Sequence, residues 1–313
     1  MHLSIADIMS ATSGSLLSGE AGTPVRDVTI DSRTAAEGSL FVPLRGTRHD
    51  GHAFIERALM QGAAAALTEQ DCSETIRRFP GRAVIGVDSA LRALGDIAAL
   101  WRSRFSVPVI GITGSNGKTT TKEMTADFIG RTRACLKTEG NFNILIGLPL
   151  SVLKLAAEHR AAVFEMGMSE PGEIRRLASI AAPSIGVITN VAPCHLEQLV
   201  SLEAVAAAKG ELLESLGPDD YAVINADDDR VRALGKSTRA RVITFGLSAG
   251  YVHADNIEVS AGGAHTFDLR IGAATVPVRL GVPGAHFVSN ALAAAAAAHA
   301  LGIGPDDIAD GLC

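Results

Sequence analysis

The sequence lacks paired cysteines, an excess of positive charge and long apolar runs, and each absence excludes a class of protein. No two of the four cysteines have the close spacing of a metal-binding or disulfide-rich framework: Cys72, Cys135, Cys194 and Cys313. The formal net charge of -6 provides no basic field that would attract nucleic acid or an anionic membrane. No stretch approaches about 18 consecutive apolar residues, since even "ALAAAAAAHALG" is short and weakly apolar. We therefore expect no nucleic-acid partner and no membrane insertion.

The start of the chain, "MHLSIADIMSATSG", has no basic segment followed by an apolar one. We therefore expect no signal peptide and a cytoplasmic protein. We also expect a monomer. The 313 residues suffice for about two domains. With 47% hydrophobic and 20% charged residues, the chain can build sizeable cores, and nothing in the composition indicates disorder.

Two patterns along the chain predict an α/β protein with two domains. Up to about residue 82, short strand-like pieces such as "VRDVTI", "SLFVPL" and "AAALTE" surround one helix and predict a small mixed α/β domain. From "RAVIGVDS" onward, buried-type strands alternate with helices, which is typical of βαβ units. The period of two in "HTFDLRI" and "TVPVRLG" predicts a small antiparallel extension. We place an N-terminal domain at 1–82 and a central P-loop-type domain at 83–313, with a mainly parallel sheet and helices on both faces.

The stretch "VIGITGSNGKTTTKEM", residues 109–124, predicts a phosphate-binding loop. A buried strand stops at "GSNG" and a helical pattern follows, so that backbone N–H groups at the helix start can bind an anion. Lys118 adds a flexible cation for terminal phosphates and Thr119 a hydroxyl for Mg²⁺. The positions of Gly111 and Gly114 do not fit the usual G-x-x-x-x-G-K-[ST] spacing, which indicates a variant loop. The alternative is an ordinary strand-turn-helix corner.

Two further polar residues follow buried strands. Glu165 comes after "AAVF" and His195 comes just past "SIGVITNVAP". Because open parallel sheets bind ligands at the carboxyl ends of their strands, we expect both at the edge that carries the loop. A carboxylate and an imidazole beside phosphates can bind a divalent metal ion. The alternatives are a helix-capping acid and a loop histidine.

Lys209 lies on the apolar stripe of a predicted helix, "SLEAVAAAKGELLESL", together with Leu202, Val205 and Leu213. A lysine in such a position usually extends its amine to solvent. The alternative is an amine aimed at the active site, with altered proton affinity or chemically modified. The spacing leaves both open.

The acidic run "NADDDR", residues 225–230, follows a strand and precedes a helix. Capping and turn formation explain it better than a metal site does. In the N-terminal part, Ser32 and Arg33 in "DSR" and Asp50 and His52 in "DGH" offer polar groups on turns, suited to a diphosphate or a uracil. Alternatively, these residues only form turns.

The chain resembles the ATP-dependent Mur ligases along essentially its whole length. The similar pieces are "TIDSRTAAEGSLFVPLRG", "GITGSNGKTTTKEM", "TEGNFNILIGLPLSVL", "FEMGMSEPGEIRRLASIAAP", "TNVAPCHLEQLVSLEAVAAAKGEL" and "HFVSNALAAAAAA". "GSNGKTT" is similar to all Mur ligases and to folylpolyglutamate synthase-like enzymes. "GNFN" and "IGLPLSVL" joined to "EMGM" and "PGEI" point to the branch that adds D-alanyl-D-alanine. The offset glycines are those of a Mur-type loop.

The resemblance implies a three-domain enzyme. Its N-terminal domain would hold the UDP end of UDP-MurNAc-tripeptide, its central domain ATP, and a Rossmann-like third domain would deliver the amine of D-Ala-D-Ala. We expect that third domain, on the order of 100–150 residues, to be missing from this sequence. The resemblance further implies ADP-forming amide ligation through an acyl phosphate, in peptidoglycan precursor synthesis. Residues 1–313 alone should bind ATP without completing the ligation.

The resemblance also implies roles for individual residues. The ATP site would comprise Thr113, Gly114, Ser115, Asn116, Gly117, Lys118, Thr119, Thr120, His286 and Asn290. Substrate-binding positions would be Ser32, Arg33, Asp50, His52, Asn141 and Asn143, and the catalytic residues Lys118, Glu165, His195 and Lys209. Thr119, Glu165 and His195 would bind Mg²⁺. Lys209 matches a lysine that is carbamylated in several relatives.

Some positions depart from the family pattern. Ile144 stands where a second asparagine is usual, Ser169 and Glu170 replace an asparagine-histidine pair, and Phe287 replaces an asparagine. Two alternative functions remain at this point: another Mur or folylpolyglutamate-type ligase, and a nucleotide-binding module without ligase activity.

Overall fold

The structure is a computed structural model that describes residues 1–46, 49–193, 201–260 and 263–312. It divides into two compact units, Met1–Arg104 and Phe105–Cys313. In the described residues, helices α1 to α11 span Ile5–Thr12, Ile55–Met60, Ser73–Arg78, Ala90–Arg102, Lys118–Gly130, Gly147–Val152, Glu173–Ala181, Leu202–Glu214, Asp229–Gly235, Ala285–Ala300 and Pro305–Leu312, with a 3-10 helix at Gly51–Phe54. Strands β1 to β16 span Leu3–Ser4, Ser15–Ser18, Pro24–Val25, Asp27–Thr29, Ser39–Phe41, Ala65–Thr68, Ala83–Gly86, Val109–Thr113, Cys135–Lys137, Ala161–Glu165, Ile185–Ile188, Tyr221–Asn225, Arg241–Gly246, Val252–Val259, His265–Ile271 and Ala274–Leu280.

The first unit has a mixed sheet in the order β2-β7-β6-β5-β4. Strands β4 to β7 run parallel, and β2 is antiparallel to β7. Helix α1 begins with a capping box, because the Ser4 side chain accepts from the Asp7 backbone and the Asp7 carboxylate accepts from the Ser4 backbone. Phe41, Ile55 and Leu59 are in the core of this unit. The prediction of a small mixed α/β N-terminal domain is thus confirmed as a fold class.

The division between the units differs from the predicted boundary after residue 82. Strand β7 pairs with β6 and β2, so it belongs to the first sheet. Helix α4 then packs against α1 in the same unit. Buried parallel strands of either sheet have the same apolar sequence pattern, which therefore did not show which sheet the segment "AVIG" would join.

The second unit has a sheet whose described strands lie in the order β16-β15-β14-β13-β12-β11-β8-β10-β9. Strands β8 to β13 run parallel, and β14 joins β13 in parallel. The pairs β14–β15 and β15–β16 are antiparallel, which confirms the predicted extension. Strand β9 was not predicted, since "CLK" is too short for a clear pattern.

Helices cover both faces of this sheet, as predicted. On β8, Ile110 and Ile112 point into the core that contains Phe128 of α5 and Ala291 of α10. The intervening Gly111 faces the other way, since a Cβ there would lie 3.2 Å from the Leu212 side chain of α8. Successive residues of a strand face opposite sides of a sheet, so the two helix layers lie on opposite faces.

Helix α10 carries the alanine-rich run. Its alanines from Ala293 to Ala298 have no exposed surface, so the helix is apolar because it is enclosed by protein. It packs against α5 and against strands of the sheet. Among the described residues, no helix is both long and apolar enough to cross a membrane.

Candidate functional site

The loop at residues 114–117 joins the buried strand β8 to helix α5. Gly114 has φ of 151° and Gly117 has φ of 80°, a backbone region that favours glycine. Neighbouring side chains leave no room for a larger residue. A Cβ would lie 1.8 Å from Thr189 Oγ1 at Gly114 and 2.2 Å from Asn290 Oδ1 at Gly117. Both glycines are therefore required by the fold of the loop itself.

Strand β11 is followed by residues that hold the loop in place. The Ser115 N–H donates to the Asn190 carbonyl over 3.0 Å. The Asn190 side chain accepts from the Asn116 N–H at 3.0 Å and donates to the Asn116 carbonyl at 3.2 Å. Thr189 Oγ1 donates to the same carbonyl at 2.6 Å. Two of the loop amides predicted to face a phosphate are therefore already used inside the protein.

The remaining donors of the loop lie at the start of α5. Gly117 is the N-cap, and the first N–H groups of a helix, here from Lys118 to Thr120, have no intrahelical acceptor. The Lys118 ammonium folds back over the loop and donates to the carbonyls of Gly114 at 2.9 Å and Ser115 at 3.3 Å. Main-chain donors, a helix dipole and a cation together favour an anion at this point.

Glu165 lies at the end of β10, one strand from the loop, and is only 2% exposed. Thr119 Oγ1 donates to Glu165 Oε2 over 2.8 Å. Asn143 Nδ2 donates to the other carboxylate oxygen over 2.6 Å. The Glu165 N–H donates to Thr138 Oγ1 at 3.1 Å. The structure thus brings together the loop helix, Glu165 and the segment that carries Asn143.

The two predicted substrate asparagines differ in their surroundings. Asn143 is part-buried, and its carbonyl accepts from the Gly167 N–H at 2.7 Å. Asn141 is exposed, with its carbonyl accepting from the Asn143 N–H at 2.7 Å. Phe142 and Ile144, which flank Asn143, are each 50% exposed. This segment therefore places one asparagine on Glu165 and leaves the other at the surface.

Helix α10 brings one of its two predicted residues to the loop. Asn290 is buried with its amide against Gly117. His286 is exposed, one turn earlier in the helix, and its ring lies 4.4 Å from that of Phe287. Residues four apart share a helix face, so His286 lies on the side that points to the loop.

Lys209 in helix α8 is buried, with 3% of its surface exposed. This burial favours the inward-facing alternative over a lysine that reaches solvent. His195 lies outside the described residues. Within the described part of the chain, no three or more His, Cys, Asp or Glu residues form a metal-binding cluster. Among the described residues, Glu165 and Thr119 could hold a metal ion at this site together with the oxygens of a bound ligand.

Two of the four predicted substrate residues of the first unit, Asp50 and His52, are hydrogen-bonded to each other. The buried His52 accepts from the Glu69 N–H through Nε2 at 3.1 Å, so Nδ1 carries the proton and donates to Asp50 Oδ1 at 2.6 Å. Asp50 also caps the 3-10 helix. His52 therefore links the Asp50 turn to the main chain at Glu69.

The "DSR" turn leaves one group at the surface. Ser32 is buried, whereas the Arg33 side chain is 72% exposed. The Arg33 guanidinium donates to both carboxylate oxygens of Asp31, at 2.9 and 2.6 Å. The Arg33 N–H also donates to Asp31 Oδ1, at 2.9 Å. The side-chain hydrogen bonds make the largest contribution and the backbone hydrogen bond the next largest, and together they lower the pKa of Asp31 to about 2.

The acidic run serves the fold, as predicted. Asp228 caps helix α9 by accepting from the N–H groups of Arg230 and Val231, and its other oxygen accepts from the Val191 N–H at 2.7 Å. Asn225 donates to the Thr189 carbonyl at 2.7 Å. The run thus supports the strand end that holds the phosphate loop.

Sequence reasoning missed Thr189 and Asn190. Their only signal is that a threonine and an asparagine directly follow the buried strand "IGVI". Polar residues at that point of a parallel sheet lie at its ligand-binding edge.

Comparisons with known proteins place this geometry in a family. The family described as "Mur ligase middle domain" matches residues 112–298, and "Mur ligase family, catalytic domain" matches residues 24–102. The chain belongs to the Mur ligase family. A relative from Synechocystis sp., UDP-N-acetylmuramoyl-tripeptide–D-alanyl-D-alanine ligase, is 38% identical over 92% of this chain and 61% of its own length. The ligase of the same name from Escherichia coli is 36% identical over 95% of this chain and 66% of its own.

Solved structures of Mur ligases superpose on this chain, in agreement with this family assignment. MurF from Acinetobacter baumannii superposes with a TM-score of 0.92 at 32% identity, covering 100% of this chain and 68% of that one. MurF ligase from Thermotoga maritima in complex with ADP superposes with a TM-score of 0.82 at 30% identity, and the match covers 91% of this chain and 66% of that one. The first curated relatives are longer than this chain, which spans 61% and 62% of their lengths.

Proposed function

We propose that this Mur ligase chain binds ATP and UDP-MurNAc-tripeptide in an enzyme that joins the tripeptide to D-Ala-D-Ala. The observation that carries the proposal is the grouping of Lys118, Thr119 and Glu165 at the edge of the parallel sheet, beside helix-start amides free for an anion. The names of the relatives support the choice of substrates. With ATP and a UDP-linked sugar as substrates, we place the reaction in the cytoplasm.

The reaction would proceed in two transfers. A carboxylate oxygen of the tripeptide attacks the γ-phosphorus, the bond to the β,γ-bridging oxygen breaks, and ADP leaves. The amine nitrogen of D-Ala-D-Ala then attacks the acyl carbon, loses a proton and expels inorganic phosphate. The first transfer brings two anions together, so positioning and neutralisation of charge dominate its barrier. Lys118 and the amides of residues 117–120 would bind the β- and γ-phosphates.

The residues present fit Mg²⁺, which prefers oxygen ligands and usually combines one or two carboxylates with phosphate oxygens and water. Glu165 and Thr119 would hold the ion, and His195 would complete the protein ligands. The ion would supply positive charge to the transferred phosphoryl group. A carbamate on the buried Lys209 would add a negative charge that supports the ion.

We place the UDP end of the substrate on the first unit. Arg33 supports this placement, because an exposed guanidinium can bind a diphosphate through two hydrogen bonds. Among the predicted substrate residues of the first unit, Asp50 is the other one whose side chain is partly exposed. Ser32 and His52 would act by shaping these turns.

The protein at its full natural length, supplied with ATP, Mg²⁺, UDP-MurNAc-tripeptide and D-Ala-D-Ala, tests the function. We expect one amide product by mass spectrometry and one ADP for each amide formed. A parallel reaction with UDP-MurNAc-dipeptide in place of the tripeptide tests whether the enzyme instead has the substrate specificity of another Mur ligase. Residues 1–313 alone should not form the amide, because the family's third domain presents the amine and excludes water. Absence of product from the full-length protein, or equal product from residues 1–313, would contradict the proposal.

A further inference from the structure

Lys122 is a completely buried lysine that the proposed reaction does not use. It lies on α5 one turn after Lys118 and has no exposed surface. Its ammonium donates to the carbonyl of Thr138 at 2.8 Å and that of Gly140 at 3.4 Å, and lies 2.9 Å from Glu123 Oε1. A buried ammonium is costly unless its three hydrogens find acceptors, and here all three do.

Two of these acceptors belong to the segment that holds Glu165. Thr138 accepts from the Glu165 N–H through its hydroxyl, while its carbonyl accepts from Lys122. The same segment continues to Asn143, which donates to Glu165 Oε1. On the opposite side, Thr119 of α5 donates to Glu165 Oε2. Helix α5 thus contacts the Glu165 carboxylate directly through Thr119, and it contacts the segment of residues 138–143 through Lys122.

We propose that Lys122 is a positioning residue that fixes residues 138–143, so that Thr138 holds the Glu165 main chain and Asn143 holds the Glu165 carboxylate towards Thr119. A lysine suits this role because main-chain carbonyls accept strongly from a charged donor. The role in metal binding rests on the proposed function, in which Glu165 holds Mg²⁺. Mutation of a residue that orients a metal ligand typically weakens metal binding by about 10–100-fold.

Lys137 offers a matched control. It contacts the other carboxylate oxygen of Glu123, and its side chain is 38% exposed. Its ammonium also lies 3.5 Å from Asp127. Removing Lys137 therefore removes a lysine and a contact with Glu123, as removing Lys122 does, but leaves the carbonyls of Thr138 and Gly140 with their donor.

The experiment compares Lys122→Met and Lys137→Met with the unchanged chain. Hydrogen–deuterium exchange without ligand measures the order of residues 138–143, and calorimetry measures ATP affinity with Mg²⁺ and with EDTA. We expect Lys122→Met to speed exchange in 138–143 and to weaken Mg²⁺-ATP binding about tenfold, with ATP affinity in EDTA changed less than about twofold. Lys137→Met should leave all three measurements unchanged. Adding Asn143→Ala to Lys122→Met should cause little further loss, because both act through Glu165.

Unchanged exchange and affinity in a folded Lys122→Met variant would overturn the inference, as would equal effects from Lys137→Met. If Lys122→Met does not fold, Lys122→Gln, a neutral side chain one bond shorter, provides the same comparison. If the unchanged chain itself does not bind ATP, the proposed function fails. The exchange comparison still decides whether Lys122 orders the segment.

Discussion

The Thr119 hydroxyl donates to the Glu165 carboxylate over 2.8 Å, which links the first turn of α5 to the end of β10. The two residues are 46 positions apart, and strand pairing between β8 and β10 brings them together. A hydroxyl and a carboxylate that already touch can both turn their oxygens to one cation. We therefore propose that a metal ion would be held at this contact, beside the phosphate loop.

Replacing Thr119 by valine keeps the side-chain shape and removes the hydroxyl. We expect ATP affinity in the presence of Mg²⁺ to fall about tenfold, since the ion loses an oxygen ligand and Glu165 loses a donor. Affinity in EDTA should change little. Calorimetry under both conditions measures this, with Thr132→Val near the other end of α5 as the control. An equal loss with and without Mg²⁺ would show that Thr119 does not act through a metal ion.

Replacing Lys118 by alanine removes the cation that folds over the loop. We expect ATP affinity to fall at least about tenfold, because hydrogen bonds to charged groups contribute about 1.5–3 kcal/mol. Lys154→Ala removes an exposed lysine that pairs with Glu139 at 2.8 Å and should leave ATP affinity unchanged. Calorimetry on both variants decides the matter. Equal affinity in the Lys118 variant and the unchanged chain would reject its role in phosphate binding.

Replacing Gly117 by alanine should destabilise the second unit. The new Cβ would lie 2.2 Å from Asn290 Oδ1, at a backbone φ of 80° that alanine rarely adopts. We expect the free energy of unfolding to fall by about 1–3 kcal/mol. Gly130→Ala in the same helix meets no atom within 4 Å and should be neutral or stabilising by up to about 1 kcal/mol. Denaturant unfolding compares the two.

A second variant separates the two causes. Adding Asn290→Ala to Gly117→Ala relieves the clash and leaves the backbone strain. We therefore expect partial recovery of the free energy of unfolding. Full recovery would show that strain at this φ contributes little, and no recovery would show that the steric contact does not matter.

The Asp31–Arg33 pair predicts a pH dependence in the first unit. The folded pKa of Asp31, about 2, lies below the usual aspartate value of 3.8, because Arg33 donates to the ionised carboxylate. The stabilisation is therefore present above about pH 4 and is lost as the pH falls towards 2. Arg33→Ala should return the pKa of Asp31 towards 3.8, as measured by NMR titration of its carboxyl carbon. Arg82→Ala, which removes an arginine bonded to the Gly62 carbonyl, should leave that titration in place.

Local sequence determined the chemistry of the phosphate loop. Strand, glycine turn and helix start are adjacent in the chain, so "GITGSNGKTT" alone indicates where Lys118 and Thr119 lie. The same holds for the acidic run, whose capping role depends on residues only two or three positions apart. Such features are set by backbone geometry within one turn of helix and need no knowledge of the remaining fold.

Tertiary structure decided which loop atoms remain free and what holds Glu165. The Asn190 side chain, 74 positions along the chain, accepts a hydrogen bond from the Asn116 N–H. The Lys122 ammonium of α5 donates to the carbonyl of Thr138, which follows β9. The pairing of β7 with β6 and β2 likewise set the division between the units. Neither an asparagine after a strand nor a lysine in a helix reveals its partner, because the partner depends on how strands pair and helices pack. The sequence determined the kind of chemistry, and the packing determined which donors and acceptors carry it.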